Sequence, residues 1–93
     1  MDRVYLNNLY DLYQNLLTHH ECDVFKEYYQ DDLTLSEIST NNNVSRSAIS
    51  KSLKSIITKL EDYEAKLHLY HKKEAIINCL NKQNYDKILE ILE

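Results

Sequence analysis

"LSEISTNNNVSRSAISKSLK", residues 35–54, carries the spacing of a helix-turn-helix. Two helices that cross steeply need a small residue where they touch and apolar residues toward their shared core. They also need a turn that reverses the chain in about three residues. Ile38, Val44, Ile49 and Leu53 fall at the core positions, and Ser39 falls at the small contact position. Asn43 takes the turn position often held by glycine; asparagine is the next-best residue for a left-handed backbone. Asn42 stands where an apolar residue commonly plugs the core. It must either face outward or leave the core shallower, with some loss of stability.

Working outward, the flanks supply start signals. Ser45 is a natural N-cap for the second helix. Thr34 with Glu37 forms a capping box ahead of the first, and Thr18 with Glu21 forms another ahead of a helix over about 19–30. The face of that helix is Cys22, Phe25, Tyr28 and Tyr29, and "QDD" at 30–32 closes it. Thr58 with Glu61 matches the same pattern but falls inside a continuous apolar period, where a new start makes no sense. Upstream, Leu6, Leu9, Tyr10, Tyr13, Leu16 and Leu17 recur at helical spacing and predict a helix over 3–17, with Tyr5 and Leu12 widening its apolar face.

Downstream, Ile49, Leu53, Ile56, Leu60, Tyr63, Leu67 and Tyr70 are spaced alternately by four and three. This heptad seam predicts one long helix over 46–72, with the recognition helix as its first part and a stalk as its second. Glu74 occupies the next expected seam site. Ile76, Ile77 and Leu80 continue in another phase, residues 81–84 read as a turn, and 85–92 read as a short amphipathic helix. The reading is an all-α chain: a helix-turn-helix domain with its stalk over 1–72 and a helical appendage over 73–93.

Glycine and proline are both absent, so every loop must be built from residues that tolerate turns less freely, and no helix interior holds a breaker. Cys22 and Cys79 fit no disulfide framework, and neither a signal-peptide pattern nor a long apolar run is present. A reducing, cytoplasmic setting without a membrane span is expected. His19, His20 and Cys22 do not complete a metal site, since adjacent side chains diverge and further ligands are missing. His68 and His71 read as surface or interface residues. The tyrosines fall at helical core spacing rather than as stacking platforms for bases. No nucleophile–base pair or phosphate-binding glycine loop is visible, so neither enzyme chemistry nor a cofactor is expected.

Charge is unevenly spread. Residues 1–40 carry a net −6, residues 41–60 carry +4, and residues 61–93 carry −2, within a chain of net −4. The positive block is Arg46, Lys51, Lys54 and Lys59. With the seam facing inward, the opposite face of the second helix presents Arg46, Ser47, Ser50, Lys51 and Lys54. Short hydroxyls and long cations at a helix start suit a helix that enters a DNA groove, and the same residue types also make an ordinary solvated or partner-binding face; within this motif the groove is the favoured reading.

The blocks "LYDLYQNLLTHHECDVFKEYYQDDLTLSEI", "NNVSRSAI" and "LEDYEAKLHLY" resemble the YlxM family, over roughly residues 5–70. These are small bacterial helix-turn-helix proteins usually encoded beside signal recognition particle genes. The family's middle section is similar to the DNA-binding C-terminal region of sigma factors, so the resemblance implies a sigma-region-four-like fold. It also implies a DNA-binding role in transcription regulation and a link to the protein-targeting pathway. Ser45, Arg46 and Ser47 match the start of the sigma-like recognition helix, and Thr34 and Leu35 match the start of the supporting helix, whose amides would touch phosphate. This chain departs from the family at Ser39, where alanine is usual, at Asn42, where an aromatic is usual, and near Ser55, where a basic residue is usual.

Two further expectations follow. The stalk seam, Leu60, Tyr63, Leu67 and Tyr70, either pairs with a second chain or folds back on the first helix; a mixture is expected, with the upper stalk on the first helix and the exposed remainder pairing between chains in a homodimer. The alternative to a DNA reader is an interaction module that acts on the protein or RNA of the signal recognition particle, which the net acidity favours.

Overall fold

The computed structural model describes residues 2–93, and every regular element among them is helical. The helices are α1 (Arg3–Tyr13), α2 (His19–Tyr29), α3 (Leu35–Asn42), α4 (Arg46–Leu67), α5 (Leu69–Asn81) and α6 (Asp86–Leu92). A single 3-10 turn, Gln14–Leu16, follows α1. Among the described residues, no helix is long and apolar enough to cross a membrane.

The starts form where the local chemistry asks for them. Thr18 and Thr34 each accept a hydrogen bond from the amide three residues on, while Glu21 and Glu37 reach back to the cap amide. These reciprocal bonds satisfy donors that a helix start otherwise leaves open. Thr58 starts nothing; its hydroxyl donates to the Lys54 carbonyl within α4. Four of the described residues take left-handed backbone: Asp32, Asn43, His68 and Gln83. In a chain without glycine, turns fall on polar residues that bear this conformation at some energetic cost.

α4 is the hub, with α1, α2 and α3 packed around it. Leu6, Leu9, Tyr10 and Tyr13 from α1, Val24 and Phe25 from α2, and Ile38 from α3 close over Ile49, Leu53, Ile56 and Leu60 of α4. Tyr10 stacks on Phe25 at 4.5 Å between ring centroids, and Phe25 stacks on Tyr29 at 4.8 Å. Val24, outside the expected apolar face of α2, is fully buried, whereas Tyr28 and Tyr29 are half-buried. The expected first helix stops at Tyr13, and Leu16 is exposed, because the chain must turn outward to reach the Thr18 cap.

The expected single helix over 46–72 is two helices. α4 ends at Leu67, His68 adopts φ 57° and ψ 27°, and α5 departs in a new direction. A left-handed residue cannot propagate a right-handed helix, so the heptad phase does not survive it. Side chains satisfy the amides opened by the break. The Glu64 carboxylate accepts from Tyr70 N at 2.9 Å and His71 N at 3.1 Å, and the Tyr13 hydroxyl accepts from Leu69 N at 3.0 Å. The seam accordingly packs inside one chain: Leu60 is buried, the Tyr63 ring lies 5.9 Å from Tyr13, and Tyr70 meets Tyr5 edge-on at 5.1 Å. Leu67 stays exposed. α5 runs across the expected division at 72/73, and α6 folds back on it after a short turn.

Candidate nucleic-acid interface

α3 and α4 are joined by a three-residue turn, Asn43 to Ser45. Asn43 sits at φ 55° and ψ 44°, its amide donates to the Thr40 carbonyl at 3.2 Å, and the Val44 amide donates to Ser39 at 3.0 Å. This paired closure is a Schellman motif built on asparagine. Ser45 then caps α4, its hydroxyl accepting from Ala48 N at 3.1 Å. Ile38, Ile49 and Leu53 are buried beneath the turn, and Ser39 lies at the helix crossing with its hydroxyl donated to the Ser36 carbonyl at 2.8 Å. Val44 does not join that core; it is 47 % exposed. The left-handed reversal at Asn43 carries its side chain out into a shallow cleft shared with Ser39, Thr40 and Ser45.

Asn42 is half-buried and neither turns outward nor leaves a hole. Its amide nitrogen donates to the Ile38 carbonyl at 2.8 Å and to Glu27 at 3.3 Å, while Asn41 donates to the other Glu27 oxygen at 3.3 Å. One carboxylate of α2 thus clamps the end of α3, a polar replacement for the apolar plug.

Ser47, Lys51 and Lys54 are exposed, and with Thr58 they repeat the four-three-four spacing of the buried stripe on the opposite side of α4. Arg46 is also exposed, and Ser50 is half-buried at the edge. Among the described residues, no carboxylate lies within ion-pair distance of Arg46, Lys51 or Lys54. Lys59 is different: its ammonium sits 2.6 Å from Glu21, which joins α4 to the start of α2. Burial opposes the charge on Glu21, but Lys59 and the bonds from Thr18 outweigh it and hold the carboxyl below its usual range. The four-cation block of the sequence therefore presents three cations to solvent ligands.

The two helix starts also differ. No acid lies in the first turn of α4, so its positive dipole end faces outward beside Arg46. At the start of α3, Thr34 is exposed, yet its amide and hydroxyl are both engaged by Glu37, whose carboxyl the same bonds hold below its usual range. An anion approaching Thr34 meets an ionised carboxylate. Ser55 lies on the flank of α4 that faces α2, lining a cleft of about 270 Å³ with Lys51, Ser52 and His20.

The Lys59–Glu21 and Glu27–asparagine contacts join residues far apart in sequence. Only Glu21 carried a local signal, its capping box, and that signal said nothing of Lys59.

A polar-turned helix pair with a cation-bearing second helix, built into a core shared by α1 to α4, defines a helix-turn-helix protein. Comparison with known families agrees. Residues 1–92 match the family UPF0122, described as "Putative helix-turn-helix protein, YlxM / p13 like", and the chain belongs to that family. It is 38% identical over 96 residues to a UPF0122 protein of Fusobacterium nucleatum, covering 96% of this chain and 93% of the relative. It is likewise 38% identical over 94 residues to one of Malacoplasma penetrans, covering 97% and 88%. A UPF0122 protein of Limosilactobacillus reuteri is 49% identical over 65 residues; that match covers 70% of this chain but only 58% of the relative.

Proposed function

We propose that the protein is a non-enzymatic, cytoplasmic DNA-binding regulator that lays the first half of α4 in the major groove. One observation carries this reading: Arg46, Lys51 and Lys54 stand exposed and unpaired on the outer face of the second helix of the motif, beside a helix start free of acid. Ser45 and Ser47 lie at that start, where a phosphate would be met by amides and the dipole. Ser50 would touch the groove edge, and Thr34 supports the site by fixing α3. By resemblance, the fold is used in the manner of a sigma-factor C-terminal region, and the protein is linked to the signal recognition particle pathway. A homodimer would supply two such helices.

The test is selection of bound genomic fragments at low salt, with Lys51→Ala/Lys54→Ala as control. Binding should weaken with salt with a log–log slope of about −3 per chain, at about −0.9 per phosphate neutralised. The double variant should lose the selected fragments. Failure of the wild-type chain to hold any fragment, its own upstream region included, ends this reading.

The acidity of residues 1–40 favours a second reading, in which the protein or RNA of the signal recognition particle is the partner. Capture of that particle that survives Lys51→Ala/Lys54→Ala would place the contact on the acidic helices.

A further inference from the structure

We infer that the α5–α6 hairpin is a dimerisation surface whose occupant is the same hairpin of a second copy. This deepens only the homodimer part of the reading above and does not depend on DNA contact.

α5 and α6 pack on each other, and burial marks the inner side of the hairpin: Cys79 is buried, and Ile76 of α5 with Ile88 and Ile91 of α6 are half-buried. One residue beyond each inner position stands an exposed apolar one: Ile77 and Leu80 on α5, Leu89 and Leu92 on α6. A one-residue step turns about 100° around a helix in a fixed sense. In an antiparallel pair the same turn carries both strips to the same side of the hairpin. Tyr85, four residues before Leu89, extends the strip toward the turn. These five side chains are 41 to 68 % exposed. They form one apolar face on the order of 500 Å², as large as the largest patch on an ordinary monomer.

Three observations select a second copy. Two such faces together remove about 1,000 Å², the lower bound for a biological interface and well above what any one of these side chains would bury alone. Residues 68–93 hold four acids and four bases, so two hairpins meet without net repulsion, whereas the rest of the chain carries the whole −4. A charged partner such as a nucleic acid finds no electrostatic selection on a neutral apolar face. The molecule is also elongated, 52 Å by 22 Å by 20 Å, and α6 packs chiefly on α5, so the hairpin can pair while α4 keeps its cationic face open. The stalk seam cannot serve instead, because Leu60, Tyr63 and Tyr70 already pack on α1.

The experiment is light scattering of the full chain without DNA over a concentration series. The expected wild-type mass is twice the 11.1 kDa chain. Leu80→Glu/Leu89→Glu should halve it with helical circular dichroism unchanged, while Leu67→Glu, on the stalk, should leave the dimer intact. A monomeric wild type overturns the inference, and so does a dimer that survives the hairpin variant or one that only Leu67→Glu dissociates. Should the double variant lose its helicity, a photo-crosslinking residue at the exposed Tyr85 decides: a covalent dimer is expected there and none with the crosslinker at Val44, and the reverse pattern overturns the inference. Because no DNA is present, none of these outcomes depends on the DNA reading.

Discussion

The Tyr13 hydroxyl donates to the Glu64 carboxylate at 2.6 Å, tying α1 to the last turn of α4 across 51 residues of sequence. The same carboxylate receives the amides of Tyr70 and His71, so one side chain holds both the hub and the start of α5. Partly buried groups that share a network lose more when one partner leaves than a solvent-exposed pair would. Tyr13→Phe and Glu64→Gln should each lower unfolding free energy by about 1–3 kcal/mol. The double variant should lose clearly less than the sum, because both substitutions break the same bond. Urea denaturation of the four proteins measures this, and strict additivity would show that the pair is not coupled.

Stability should fall on both sides of a broad plateau in pH. Burial works against ionisation of Glu64, but the Tyr13 hydroxyl, the amides of Tyr70 and His71 and the nearby His68 outweigh it and hold its carboxyl below the ordinary value of 4.5. A carboxyl lowered on folding stabilises fully above its unfolded value, and that contribution is lost as pH falls through the folded value. Glu21 acts in the same sense. At the other limb, Tyr10 and Tyr13 are pushed up to about 12, chiefly by burial, so stability should erode as pH climbs from 10 toward 12. Thermal midpoints against pH should show both limbs, with Glu64→Gln flattening the acid one; an unaltered acid limb in that variant would remove Glu64 from the account.

The turn residues make a paired test. Asn43 and His68 hold φ 55° and 57°. A side chain in this region costs energy that glycine avoids, less for asparagine than for histidine. His68→Gly should therefore raise stability by up to about 1 kcal/mol. Asn43→Gly should change little, while Asn43→Ala should lose about 1 kcal/mol. Chemical denaturation midpoints give the order, and a stabilising Asn43→Ala would contradict the left-handed turn.

Lysines on one helix should separate by role. Lys59 is bound to Glu21, while Lys51 and Lys54 are unpaired. Lys59→Ala should lower the thermal midpoint and leave the salt slope of DNA binding unchanged. Lys51→Ala and Lys54→Ala should each reduce that slope by about 0.9 and leave the midpoint nearly unmoved. Equal effects of all three lysines on the slope would mean that Lys59 also faces the duplex.

The helix-turn-helix was legible because its determinants are local. Ser45, Thr34 with Glu37, and Asn43 act on amides within a few residues, and the alternation of Ile49, Leu53, Ile56 and Leu60 marks a buried stripe on any helix that forms. The outer face of α4 followed from that stripe by rotation alone. Val44 was misplaced because its direction depends on how the chain leaves the left-handed residue before it. Ser50 fell at the boundary between faces, where spacing does not decide burial.

What the sequence determined by itself is the helical class, the capped starts, the glycine-free turn and the position of the cations along α4. Each rests on interactions within one helical turn, which a linear pattern records. What only the tertiary structure decided is the break at His68, the withdrawal of Lys59 into a pair with Glu21, and the direction in which the seam packs. Between Leu60 and Tyr70 the heptad was intact on paper. It ended because Tyr13, 51 residues before Glu64, arrives at the one place where its hydroxyl and that carboxylate can satisfy the amides of a second helix start. Which distant groups meet is set by how the packed core brings α1 against α4, and no local spacing encodes it.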